Sequence, residues 1–82
     1  MAKLYPSFKL AEKIGKNMVE IDAPTVEKLL ELGSQVVGED LSAEAKRFAV
    51  LVNGRNIRYL EGFKTPLSDD DEVFFVGGSG GG

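Results

Sequence analysis

The 82-residue chain contains no cysteine and no histidine. Thiol nucleophiles, thiolate and imidazole metal ligands, disulfides and the commonest general base are therefore all excluded. Long apolar stretches are missing too: the longest unbroken runs, such as Phe48–Val52, fall far short of the ~20 residues that cross a bilayer. The opening residues lack the apolar core of a signal peptide, and with no disulfides the expectation is a soluble, cytoplasmic protein without membrane contact. There is no excess of basic charge. Ten Lys and Arg residues stand against thirteen Asp and Glu, giving a net charge of −3. The basic residues are scattered, so no stripe suited to phosphates stands out and direct nucleic-acid binding is not expected.

What is present is ordinary globular composition, 43% hydrophobic and 28% charged, which supports a folded core rather than a disordered chain. The length allows one domain, expected over residues 1–76, followed by a glycine-rich tail at 77–82. A domain this small buries only about 60% of its unfolded surface, so a deep catalytic pocket is not expected.

Apolar spacing sets out the elements. Met1–Phe8 and Asn17–Asp22 read as two short strands joined as a hairpin through a turn at Gly15-Lys16-Asn17, with Pro6 at an edge or bulge. Val26, Leu29, Leu30, Gly33, Val36 and Val37 recur at helical spacing and predict one main helix. Asp22 or Thr25 is its N-cap, Pro24 lies near its first turn, and Gly38 ends it. Leu41–Arg47 permits a second short helix without requiring one. Phe48–Val52 reads as a continuous apolar strand, Asn53-Gly54 as a tight hairpin turn, and Ile57 and Tyr59 as alternating positions on the returning strand. Thr65–Asp71 has turn chemistry and Glu72–Val76 is a closing strand. Two strands, a helix, a hairpin and a final strand suit the α+β, β-grasp plan: a mixed sheet of four to five strands on one main helix. Leu29, Leu30, Val50, Val52 and Val73 are its expected core.

The same residues resemble a family, the small sulfur carriers and protein modifiers of the ubiquitin-like superfamily, especially the small subunit of molybdopterin synthase and the small archaeal modifiers. The resemblance runs through Thr25–Leu32 (TVEKLLEL), Val52–Arg55 (VNGR), Thr65–Phe75 (TPLSDDDEVFF) and the closing Gly81-Gly82. Three places depart from it. Gly77-Gly78-Ser79-Gly80 replaces a proline-containing segment, the Phe8-to-Gly15 spacing is one residue short, and Asp70 stands where glycine is usual, although Asp tolerates a left-handed backbone.

The resemblance implies that this is not an enzyme but a carrier with no bound cofactor. Its Gly82 carboxylate would be adenylated, with ATP supplied to an E1-like partner enzyme. It would then become a thiocarboxylate for molybdopterin or tRNA thiolation, or an isopeptide with a target lysine. The implied partners are the activating enzyme and one of three others: the large subunit of molybdopterin synthase, a tRNA thiolase or target-protein lysines. A terminal carboxylate has an intrinsic pKa of about 3.3–3.7 and is an anionic oxygen nucleophile at neutral pH. Gly81 and its neighbours carry no Cβ to collide with a narrow passage. Gly77, Gly78, Ser79 and Gly80 are expected to contact the partner along that passage.

Alternation along the last strand places Val73 and Phe75 on one side and Phe74 and Val76 on the other. One pair belongs to the core. Phe74 and Val76 are the candidates for an exposed docking patch, with Phe74 its aromatic anchor. Simpler readings stand beside these. The glycine run also suits a flexible linker, Asp69-Asp70-Asp71 a solvated turn with no metal, and Arg55 and Arg58 exposed hairpin charges. The alternative function is a noncovalent β-grasp interaction module with no C-terminal chemistry.

Overall fold

The computed structural model describes residues 1–76. The expected tail at 77–82 lies outside the described residues. Five strands, β1 (Ala2–Tyr5), β2 (Val19–Ile21), β3 (Ala49–Val52), β4 (Arg55–Asn56) and β5 (Glu72–Val76), form one sheet in the order β2-β1-β5-β3-β4. β5 runs parallel to β1 and antiparallel to β3, and the two outer pairs are antiparallel. This is the mixed sheet expected of a β-grasp domain, with β5 at its centre.

The helices α1 (Phe8–Ile14), α2 (Val26–Val37) and α3 (Leu41–Arg47) cover one face. Strand residues Leu4, Ile21, Val50, Val52, Val73 and Phe75 pack there with Val26, Leu29, Leu30 and Leu41. Each fully buried Leu, Val or Phe contributes roughly 1.5–3 kcal/mol before ordering entropy is subtracted. The N-cap of α2 is Thr25, whose Oγ1 accepts a hydrogen bond from the Lys28 amide at 3.2 Å. Pro24 sits directly before the cap, near the first turn as expected, and Asp22 has no capping role. Gly38, at φ 75°, closes the helix with its amide donated to the Ser34 carbonyl at 2.9 Å.

Gly33 sits in the middle of α2 against its helical propensity. A Cβ there would lie 2.6 Å from Leu41 Cδ1 and 2.9 Å from Ile21 Cδ1, so its bareness lets α3 and β2 close onto the helix. Ser34 ties α3 to the same turn. Its Oγ donates to the Leu30 carbonyl at 2.7 Å and accepts from the Leu41 amide at 2.9 Å. The optional helix at 41–47 is formed, capped by Asp40, whose Oδ1 accepts from the Ala43 amide.

Three expectations need correction. The segment between β1 and β2 is not a simple hairpin turn. Pro6 ends β1, and Ser7 Oγ accepts from the Leu10 amide and starts α1, so Phe8 opens a helix and lies 77% exposed instead of extending the strand. The return strand after Asn53-Gly54 stops at Asn56 and tightens into a 3-10 turn, Ile57–Tyr59, followed by a second at Gly62–Lys64. Ile57 is buried and Tyr59 is 80% exposed, so they do not share a face. Val36 points to solvent, because the core stripe of α2 passes from Gly33 to Val37, which packs partly buried against the core.

Candidate functional site

β5 carries the chain from a polar anchorage at its start to an apolar neighbourhood at its end. At the start, Asn53 and Gly54 adopt φ of 53° and 87°, the turn that their sequence predicts. Asn53 then does more than turn the chain. Its Oδ1 accepts from the Glu72 amide at 2.9 Å and its Nδ2 donates to Asp71 Oδ1 at 3.0 Å. Asp71 Oδ2 in turn accepts from the Ser68 amide at 2.7 Å. Asp70 takes the left-handed conformation at φ 70°, and its amide donates to the Met1 carbonyl. The exposed Met1 ammonium donates to Asp69 Oδ1 at 3.1 Å, a hydrogen bond that raises its pKa above the ordinary value. The acidic triplet is thus occupied in backbone and turn contacts. Among the described residues no group of three or more acidic side chains is placed to hold a metal.

At the far end, strand alternation resolves as a buried Val73 and Phe75 against an outward Phe74 and Val76. Register puts Tyr5 of β1 and Leu51 of β3 on either side of Phe74, and Ala49 beside Val76. The Tyr5 and Phe74 rings stack with centroids 4.6 Å apart and planes 10° from parallel. The Tyr5 hydroxyl donates to Glu72 Oε2 at 3.3 Å, holding the phenol end over the strand. Phe74 is consequently half-buried, and Val76 is 43% exposed. An apolar strip on the outer sheet face therefore leads to the last described residue of β5. On the helix side of the same end, Ser7, Phe8, Lys9, Phe48 and Phe75 line a cleft of about 380 Å³.

This geometry can be set beside known proteins. Residues 8–82 match the ThiS family. A protein of Archaeoglobus fulgidus named as a sulfur carrier protein is 40% identical over 77 residues, an overlap of 83% of this chain and 88% of its own. The chain belongs to the ThiS family. Three solved structures show the same ubiquitin-like fold at low identity. Small archaeal modifier protein 1 of Methanosarcina acetivorans superimposes with a TM-score of 0.78 at 24% identity, over 99% of this chain and 95% of that one. CysO of Mycobacterium tuberculosis gives 0.85 at 16% identity, over 96% and 100%. CysO of Amycolatopsis orientalis, solved in complex with BexX, gives 0.79 at 20% identity over the whole of both chains.

Within this ThiS-family chain, the structure brings Phe74 and Val76 together on one face as alternation predicts. The other sequence-derived site residues, Gly77, Gly78, Ser79, Gly80, Gly81 and Gly82, lie outside the described residues. Tyr5 and Leu51 were not singled out by sequence reasoning. Tyr5 was detectable from the alternation of Ala2 and Leu4 with Lys3 and Tyr5. Leu51 was not, because Phe48–Val52 is apolar on both faces and hides its period. No helix among the described residues is long and apolar enough to cross a membrane.

Proposed function

We propose that this ThiS-family protein is a carrier, not an enzyme, and that its chemistry takes place on the Gly82 carboxylate. An E1-like partner would bind ATP, and a Gly82 carboxylate oxygen would attack the α-phosphate. Pyrophosphate departs and an acyl-adenylate forms. A sulfur nucleophile then displaces AMP to leave a thiocarboxylate, which serves molybdopterin or tRNA thiolation. Displacement by a lysine amine instead gives an isopeptide with a target protein. ATP is consumed by the partner, and the carrier itself holds no cofactor.

One observation carries this reading: the family match runs to Gly82, while the last strand ends at Val76, six residues earlier. Six residues span roughly 20 Å when extended, at about 3.3–3.6 Å each, which suits delivery of an acyl end into another protein's active centre. Fixing such a tail costs roughly 1–2 kcal/mol per residue in backbone entropy, so the folded face has to supply affinity. The Tyr5–Phe74–Leu51 strip and Val76 are suited to that, with Gly77, Gly78, Ser79 and Gly80 crossing the partner's passage. The structurally similar CysO occurs in a complex with BexX, consistent with a role performed on a partner.

The test is pyrophosphate release by the host's activating enzyme with ATP and either the full chain or a chain lacking Gly81-Gly82. Release with the full chain only, at unchanged melting temperature, is the expected result. Binding of a partner that is indifferent to the truncation, with no pyrophosphate from either chain, would favour the noncovalent module.

A further inference from the structure

The segment 46–64 holds five of the chain's ten basic residues and one of its thirteen acidic ones. In a chain of net charge −3 this is a local reversal of sign, and the fold shapes it into a groove. The last turn of α3 forms one wall, and β4 with the two 3-10 turns forms the other. Between them is a cleft of about 460 Å³ whose apolar lining includes Phe48, Ile57 and Phe63. Lys46, Arg47 and Arg58 line it as well and are exposed. None of the ion pairs among the described residues engages these three cations. Phe63 remains 43% exposed beside them. An uncovered aromatic next to unpaired guanidinium groups combines the two features enriched at protein interfaces.

We propose that this groove docks an acidic protein segment carrying a large apolar side chain. The apolar side chain would fill the cleft over Ile57 and Phe48, and carboxylates on either side would pair with Arg47 and Arg58. Charge complementarity selects the occupant. An Arg fork binds a carboxylate in bidentate fashion, and opposite potentials steer the encounter. A nucleic acid fits less well, because the rest of the surface is acidic and repels a phosphate polymer over a Debye length of about 10 Å. Strand addition is also disfavoured: β4 is an edge strand, but it lasts two residues before the chain tightens into a 3-10 turn. Phe48 also lines the cleft at the end of β5, so the two clefts share one side chain as a wall. The inference stands apart from the tail chemistry and survives or fails without it.

The experiment titrates the isotope-labelled full chain with a short synthetic peptide alternating Glu with Phe, followed by amide chemical shifts. The wild-type chain should show shifts centred on Arg47, Phe48, Arg58 and Phe63. The Arg47→Glu, Arg58→Glu double variant, with both positions exposed and its fold checked by its own spectrum, should bind about tenfold more weakly or worse. A peptide with Lys in place of Glu should not bind. Shifts confined to the outer sheet face, binding indifferent to the double charge reversal, or tighter binding of an oligouridylate at this groove would each overturn the proposal. Loss of Gly81-Gly82 should leave this binding unchanged.

Discussion

Tyr5 and Phe74 stack in parallel across the β1–β5 pair, 4.6 Å between ring centroids, although 69 positions separate them along the chain. The first and last strands of the domain meet at this pair. It fixes an aromatic surface two residues before the end of β5, and an aromatic side chain already held in place loses less entropy when a partner covers it.

A double-mutant cycle of Tyr5→Ala and Phe74→Ala should therefore report a coupling of about 0.5–1.5 kcal/mol in urea denaturation, the range for stacked aromatic pairs. Tyr5→Phe should retain most of it, since the ring remains and only the long hydroxyl contact to Glu72 is lost. Additive single effects would show that the rings merely lie side by side.

Phe74→Ala should raise the KM of the carrier for its activating enzyme by roughly 30-fold or more, the loss of an interface anchor worth about 2 kcal/mol. Turnover at saturating carrier should change little, because the acyl end is untouched. Steady-state pyrophosphate release at varied carrier concentration separates the two. A fall in kcat at constant KM would place Phe74 elsewhere than in docking.

Gly33→Val should destabilise the fold by roughly 1–3 kcal/mol, the cost of overpacking a filled core. The added carbons would meet Leu41 and Ile21 at distances that even a Cβ does not tolerate. Chemical denaturation measures this, and a neutral outcome would mean that α3 is free to withdraw from α2.

Asn53→Gly keeps the backbone turn but loses both side-chain bonds to Asp71 and Glu72, at about 1 kcal/mol per bond. Asn53→Ala should cost about 1–2 kcal/mol more, because a residue with a Cβ resists positive φ. The ordering Asn above Gly above Ala in urea midpoints is the expected outcome, and Ala equal to Gly would remove the backbone from the account.

Much of this was legible in the chain, for identifiable reasons. Helix α2 was readable because Val26, Leu29, Leu30 and Gly33 repeat on one face and Thr25 and Gly38 mark its ends. The Asn53-Gly54 turn was readable because few residue pairs accept two positive φ angles. Helix α1 was misread: Leu10 is its only fully buried side chain and Ile14, one turn on, packs only partly buried, so seven residues carry too short a period to stand out, and only Ser7 and Gly15 marked its ends. Ile57 and Tyr59 looked like strand because they are two apart. The tightening into a 3-10 turn comes from Asn56, whose Oδ1 accepts from the Arg58 amide at 2.9 Å. At the site, alternation gave Phe74 its face, but Tyr5 as its cover depended on a parallel pairing between the two ends of the domain, which no local pattern encodes.

Intact mass spectrometry of the protein purified from its native host bears most directly on the carrier role. The account predicts a population heavier by the exchange of one terminal oxygen for sulfur, or joined through Gly82 to another protein, and neither form in a chain truncated before Gly81. A homogeneous, unmodified mass that stays unchanged after incubation with ATP, the activating enzyme and a sulfur donor would contradict it.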